Sequence, residues 1–109
     1  MTNISNQLRA TMKGIRKELI LAYEGELTNE DGEEVSLFDY LNEALDVDFR
    51  VNCQKEALGC RAWLCLGGPN IWIDTEDKSL HGAWGNERDS IPLDEDLCEQ
   101  ILDEYWYNI

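Results

Sequence analysis

The residues of this chain best equipped for chemistry are four cysteines, Cys53, Cys60, Cys65 and Cys98, and one histidine, His81. A zinc site would draw on Cys53, Cys60, Cys65 and His81. Structural zinc favours two tight pairs of Cys or His, each pair separated by about two to five residues. Here the intervening gaps are six, four and fifteen residues. Cys60 and Cys65 also differ by an odd number, so one regular strand points them to opposite faces. Free thiols that pack as small hydrophobes are expected instead, with no metal and no cofactor. A Cys–His nucleophile needs both groups within hydrogen-bond reach and a third group to orient the base. Nothing in the spacing supplies that.

Asp74, Glu76 and Lys78 have the carboxylates and lysine of a magnesium nuclease, where the acids hold metal and the lysine stabilises developing charge. Residues 76–78 fall in a predicted turn, however, and the acidic body lacks a basic surface to hold DNA. Gly67-Gly68 opens a strand with Pro69 next, whereas a phosphate loop opens a helix. Alignment of an EF-hand on Gly32 puts Leu27 and Phe38 where oxygen ligands are required. No catalytic signature survives, and a non-enzymatic protein is expected.

Charge is the unusual property. The chain of 109 residues has 23 acids against 9 bases, a net charge of −14. Residues 1–23 carry Arg9, Lys13, Arg16 and Lys17 against Glu18 alone, so the remaining residues hold a net −17. Such a field repels nucleic acid and anionic membranes and favours basic partners. No run of about 18 apolar residues could cross a membrane. The N-terminal residues lack an apolar secretory segment, so a cytoplasmic protein is expected.

The elements that must position these groups follow from periodicity. Ile4, Leu8, Met12, Ile15, Leu19 and Tyr23 repeat at three and four residues and predict a helix, capped by Thr2 or Asn3 and closed by Gly25. Residues 24–35 read as an acidic loop containing Glu30, Asp31, Glu33 and Glu34. Ser36 starts a second helix in a variant capping box. Asp39, Glu43 and Asp46 form an acidic row on its outer side, and Leu37, Leu41, Ala44 and Leu45 its buried side.

The period then changes to two. Val47, Phe49, Val51 and Cys53 predict a strand, and residues 60–66, 71–75 and 79–84 three more. Residues 85–93 read as a polar connection. A last helix starts at Asp94, with Leu97, Ile101, Tyr105 and Ile109 inward and Asp96, Glu99 and Asp103 outward. The expected fold is a single α+β domain over residues 1–109: a four-stranded antiparallel meander with three helices, in the order α-α-β-β-β-β-α.

Alternation splits the sheet. Ala62, Leu64, Leu66, Ile71 and Ile73 look like core. Trp63, Cys65, Trp72 and Asp74 point the other way, and exposed aromatics of this kind mark binding surfaces. The ordinary outcome, and the one expected ahead of exposure, is that the three helices and a two-sided sheet bury these rings.

The segments SLFDYLNEALDV and GGPNIWIDT resemble stretches of small proteins made by phages and mobile elements. With the size and acidity, the likeness is to anti-CRISPR and antirestriction inhibitors, and it spans residues 36–85. The resemblance implies a DNA mimic that occupies the Lys/Arg-lined groove of a defence nuclease. The first helix, neutral to basic, departs from a uniformly acidic mimic. The expected contacts are Asp39, Glu43, Asp46, Asp96, Glu99 and Asp103, the loop acids Glu30, Asp31, Glu33 and Glu34, and Trp63 or Trp72 as apolar anchor. The partner expected is a basic protein surface, not nucleic acid and not a membrane. The alternatives are an interaction module that binds through the Trp face, or a small zinc protein.

Overall fold

The three-and-four spacing near the N-terminus folds as helix α1, Asn3–Glu24. A computed structural model describes the backbone of residues 3–108 and the side chains of residues 5–108. The expected Thr2 or Asn3 cap, and the stripe ends Ile4 and Ile109, lie outside those described side chains. Leu8, Met12 and Leu19 are buried, and Ile15 packs against them. At the C-terminus Gly25 takes φ 77. Its N–H donates to Ala22 O at 3.2 Å, and the Glu26 N–H donates to Leu21 O at 2.8 Å. This paired closure satisfies carbonyls the helix leaves open, and the left-handed φ suits glycine.

The acidic loop closes into a small hairpin. Asn29 Oδ1 accepts the N–H groups of Asp31 and Glu33, both at 2.9 Å. The Val35 N–H donates to Leu27 O at 2.8 Å, beside a Thr28–Glu34 bridge.

Helix α2 is much shorter than its apolar spacing predicts: Leu37–Leu41. Ser36 caps it, with Oγ accepting the Asp39 N–H at 3.0 Å. The helix stops because the Leu45 N–H is captured by Trp63 O at 2.7 Å, which commits the chain to the sheet. The acidic row is thereby broken. Asp39 lies in α2, Glu43 in the following turn, and Asp46 opens strand β1.

Among the described residues the sheet has five strands, not four: β1 Asp46–Val51, β2 Ala57–Cys65, β3 Asn70–Asp74, β4 Ser79–Trp84 and β5 Glu87–Pro92. They pair antiparallel in chain order. The unexpected strand, β5, has only Ile91 buried, because it is an edge strand and shows little apolar alternation. Gly85 at φ 60 precedes Asn86 in a two-residue turn that joins Trp84 to Glu87. Glycine at the first central position is the mark of a type II′ hairpin, and the Gly-Asn pair is the signal that betrays this strand.

A register shift in β2 alters the expected faces. Trp63 pairs with Trp72, but Cys65, not Leu64, pairs with Ile71. Leu64 is the extra residue of a bulge, which reverses the alternation beyond it. Cys65 therefore packs against the core, and Leu66 is 54% exposed. Cys60 and Cys65 thus share a face, contrary to the odd-spacing argument.

Helix α3, Glu95–Trp106, follows Asp94, which occupies the N-cap position without a side-chain cap bond. Leu97, Cys98 and Ile101 are buried, and the Tyr105 hydroxyl donates to Leu41 O at 2.8 Å. The buried residues of all three helices join Ala62, Ile71, Ile73, Leu80 and Ile91 in one core on one side of the sheet. Helix α1 crosses β4 closely at Gly82, where a Cβ would stand 2.6 Å from Met12 Sδ. The architecture is α+β, with a helical layer on one face of an antiparallel sheet.

Candidate functional site

The opposite face of the sheet carries the site, and strand register builds it row by row. Asp46 pairs with Trp63, Trp63 with Trp72, Trp72 with His81, and His81 with Ser90. In an antiparallel sheet such partners share a face. The Trp63 and Trp72 rings stack with centroids 4.7 Å apart and planes at 30°. Trp72 and His81 stack at 5.3 Å and 15°. All three residues are half-buried. Trp72 thus has both ring faces covered, and Trp63 and His81 one each, so the three rings form a continuous aromatic ridge across the sheet.

The next row pairs Asp48 with Arg61 and Arg61 with Asp74, and the Arg61 Nε lies 3.5 Å from Asp74 Oδ2. In the third row Arg50 stands opposite Gly59. Glu76 reaches back over Gly59, where a side chain would collide with it. Arg50 grips it in a bidentate pair, Nε to Oε1 at 2.7 Å and a terminal nitrogen to Oε2 at 2.6 Å. These hydrogen bonds from Arg50 hold the Glu76 carboxyl below its ordinary range.

The β3–β4 turn adds a third feature. Asp74 Oδ1 accepts the Glu76 N–H at 3.0 Å. Asp77 Oδ2 lies 2.7 Å from His81 Nε2. One ligand atom from each of Asp74, Asp77 and His81 lies within 4.8 Å of the others.

The zinc and Cys–His arrangements weighed against free thiols do not assemble. All four cysteines are free, Cys53 exposed and Cys60 and Cys98 buried. His81 projects from the face opposite Cys60 and Cys65, so neither a zinc site nor a Cys–His pair forms. Burial pushes the Cys60 and Cys98 thiols up to about 11. Thr75 Oγ1 accepts the Cys60 N–H at 2.9 Å beside that thiol. Of the nuclease-like trio, Asp74 faces Arg61, Glu76 is held by Arg50, and Lys78 pairs with Glu95 at 3.8 Å.

The acidic residues divide among several surfaces. Asp39, Glu43, Glu33 and Glu34 line a shallow cleft of about 510 Å³ together with Glu18 and Tyr40. The Tyr40 hydroxyl donates to Glu18 Oε1 at 2.9 Å, and burial with that acceptor pushes its ionisation far up. Glu30 and Asp31 are exposed in the hairpin, and Asp96, Glu99 and Asp103 are exposed on α3. Asp46 belongs to the open sheet face beside Trp63.

Asp77 is not among the candidate residues read from the sequence, and His81 is there only as a partner for the cysteines. Counting back from Asp74 opposite Ser79 across the short turn places Trp72 opposite His81, so the stacking partner was legible in principle. Asp77 carried no signal beyond being a turn acid.

Comparison with protein-family models, curated proteins and solved structures finds no match to this chain. Among the described residues no helix is long and apolar enough to cross a membrane.

Proposed function

We propose that this chain is a non-enzymatic binding protein that docks a basic protein surface on the open face of its sheet. The observation that carries this reading is the stacked row Trp63–Trp72–His81, half-buried on the face away from the helices. Tryptophans held by their neighbours lose little side-chain entropy on binding, and such residues dominate interface energetics. Asp46 and Asp48 flank the ridge, and the net charge of −14 favours a Lys- or Arg-bearing partner. The partner class is a nucleic-acid-processing enzyme, with the chain acting as an inhibitor of the anti-CRISPR or antirestriction kind.

A second surface supports a variant of this reading. The cleft lined by Glu18, Glu33, Glu34, Asp39 and Glu43 gathers five carboxylates, and it would meet a phosphate-binding groove as a nucleic-acid mimic.

One experiment separates the two surfaces. A pull-down from bacterial lysate, repeated after nuclease treatment, identifies a partner, and its affinity is then measured with Trp72→Ala and with the pair Asp39→Lys, Glu43→Lys. Docking on the sheet predicts at least a tenfold loss with Trp72→Ala and little change with the reversals. The reverse pattern, with a steep salt dependence, assigns the interaction to the cleft. A partner lost on nuclease treatment, or indifferent to both sets, overturns the proposal.

A further inference from the structure

We propose that Asp74, Asp77 and His81 form a binding site for a divalent ion of the zinc class. The site shares His81 with the docking row but needs no partner, and its two carboxylates belong to the β3–β4 hairpin.

The three side chains come from one hairpin yet converge, with one ligand atom of each within 4.8 Å of the other two. Zinc binds His nitrogen and carboxylate oxygen at about 2.0–2.2 Å, so its ligand atoms sit about 3–4 Å from one another. The cluster needs a contraction of no more than about one ångström. His81 Nε2 and Asp77 Oδ2, now 2.7 Å apart, need to open by less than that.

The surroundings fix two of the three ligands. Trp72 stacks on the His81 ring at 5.3 Å and 15°, and so sets the ring plane. Asp74 is the better shielded carboxylate, its side chain 17% exposed against 51% for Asp77. Its Oδ1 is oriented by the N–H groups of Glu76 at 3.0 Å and Asp77 at 3.5 Å. Metal ligands are commonly held by outer contacts of this sort. Asp77 is the mobile member that closes the site.

Charge also favours a cation. Two carboxylates converge on one imidazole, so the cluster gathers more negative charge than Arg61 alone offsets. Arg61, 3.5 Å from Asp74 Oδ2, offsets part of the excess, and its side chain is 57% exposed and free to swing outward. The imidazole selects the class of ion: calcium and magnesium take oxygen ligands, whereas zinc, nickel, copper and cobalt accept nitrogen. Three protein ligands on an exposed turn leave the remaining positions to water.

The test is a titration of the full chain carrying Cys53→Ser, which removes the exposed thiol as a competing ligand, in excess Mg²⁺ to saturate weak carboxylate sites. Isothermal titration with Zn²⁺ should show one site in the micromolar range. Ni²⁺ should quench tryptophan emission saturably, because Trp72 lies against the ligand ring, and Zn²⁺ should reverse the quench. His81→Gln and Asp77→Asn should each weaken binding at least about tenfold. Trp72→Phe should retain Zn²⁺ binding and lose most of the quench. Asp77 is exposed, so its variant tests the site even if the His81 variant is poorly folded. The proposal is overturned by the absence of a saturable site below millimolar Zn²⁺, by several sites that Mg²⁺ abolishes, or by affinity unchanged in Asp77→Asn.

Discussion

Glu76 fills the space above Gly59 that any other residue would occupy with its own side chain, and from there it takes both hydrogen bonds of the Arg50 fork. Gly59 is thus required by a charge pair rather than by backbone conformation. Gly59→Ala should push Glu76 aside and release Arg50. The measurement is the Glu76 titration by NMR. In the wild type it lies below the ordinary glutamate range because Arg50 binds the charged form. A depressed folded-state value contributes stability above the ordinary range, and that contribution is lost as pH falls through the folded value. Gly59→Ala and Arg50→Ala should both return Glu76 to the ordinary range and remove this part of the acid dependence. An unchanged titration in Gly59→Ala would contradict the packing account.

Two indoles stacked at 4.7 Å couple optically. The far-ultraviolet circular dichroism should therefore show an exciton couplet that disappears in both Trp63→Ala and Trp72→Ala. An aromatic pair contributes about 0.5–1.5 kcal/mol beyond area burial. Trp72→Ala breaks two stacks, Trp63→Ala one, so Trp72→Ala should be the more destabilising in urea. A couplet that survives Trp72→Ala would place the coupled rings elsewhere.

The fold was legible where pattern and pairing agree. The stripe of Leu8, Met12 and Leu19 specified α1, and Leu97, Ile101 and Tyr105 specified α3. The Trp63–Trp72 face followed from alternation. What escaped was decided by long-range contacts. Leu45 has helical spacing with Leu41, but its N–H is taken by Trp63 O, and no local signal records that bond. The bulge at Leu64 moved Cys65 to the core face, which the regular period of two cannot foresee. β5 escaped because an edge strand with Glu87, Arg88, Asp89 and Ser90 has little apolar alternation. Asp89 is satisfied instead by Arg9 of α1 at 3.0 Å. The acidic row failed for the same reason as α2: the sheet claimed Asp46.

Gly82 tests how tightly α1 seats on the sheet. A Cβ there would lie 2.6 Å from Met12 Sδ and 2.9 Å from Leu8 Cδ1, both from buried residues. Overpacking of a filled core costs about 1–3 kcal/mol. Gly82→Ala should lower stability by about 2 kcal/mol in urea denaturation, with the slope unchanged. Gly14→Ala is the control, since nothing lies within 4 Å of its added Cβ. Alanine is the better helix former, so Gly14→Ala should stabilise by up to about 1 kcal/mol.

The thiols give the alkaline limit of the fold. Cys60 and Cys98 are buried, and desolvation pushes each up to about 11. In the unfolded chain both would ionise near the ordinary thiol value of about 8.5. Between those values the native state holds more protons than the unfolded state, so stability must fall as pH rises through this window. It is fully present below the ordinary thiol value. Urea midpoints measured from pH 7 to 11 should therefore decline at the alkaline end, and Cys60→Ala should flatten that decline after its own cavity cost is subtracted. Thiol labelling provides the second check. Cys53, exposed in the turn after β1, should react at once at neutral pH. Cys60 and Cys98 should react only at the rate of unfolding. Rapid labelling of all four in native buffer would mean that the core between α3 and β2 opens far more readily than its burial implies.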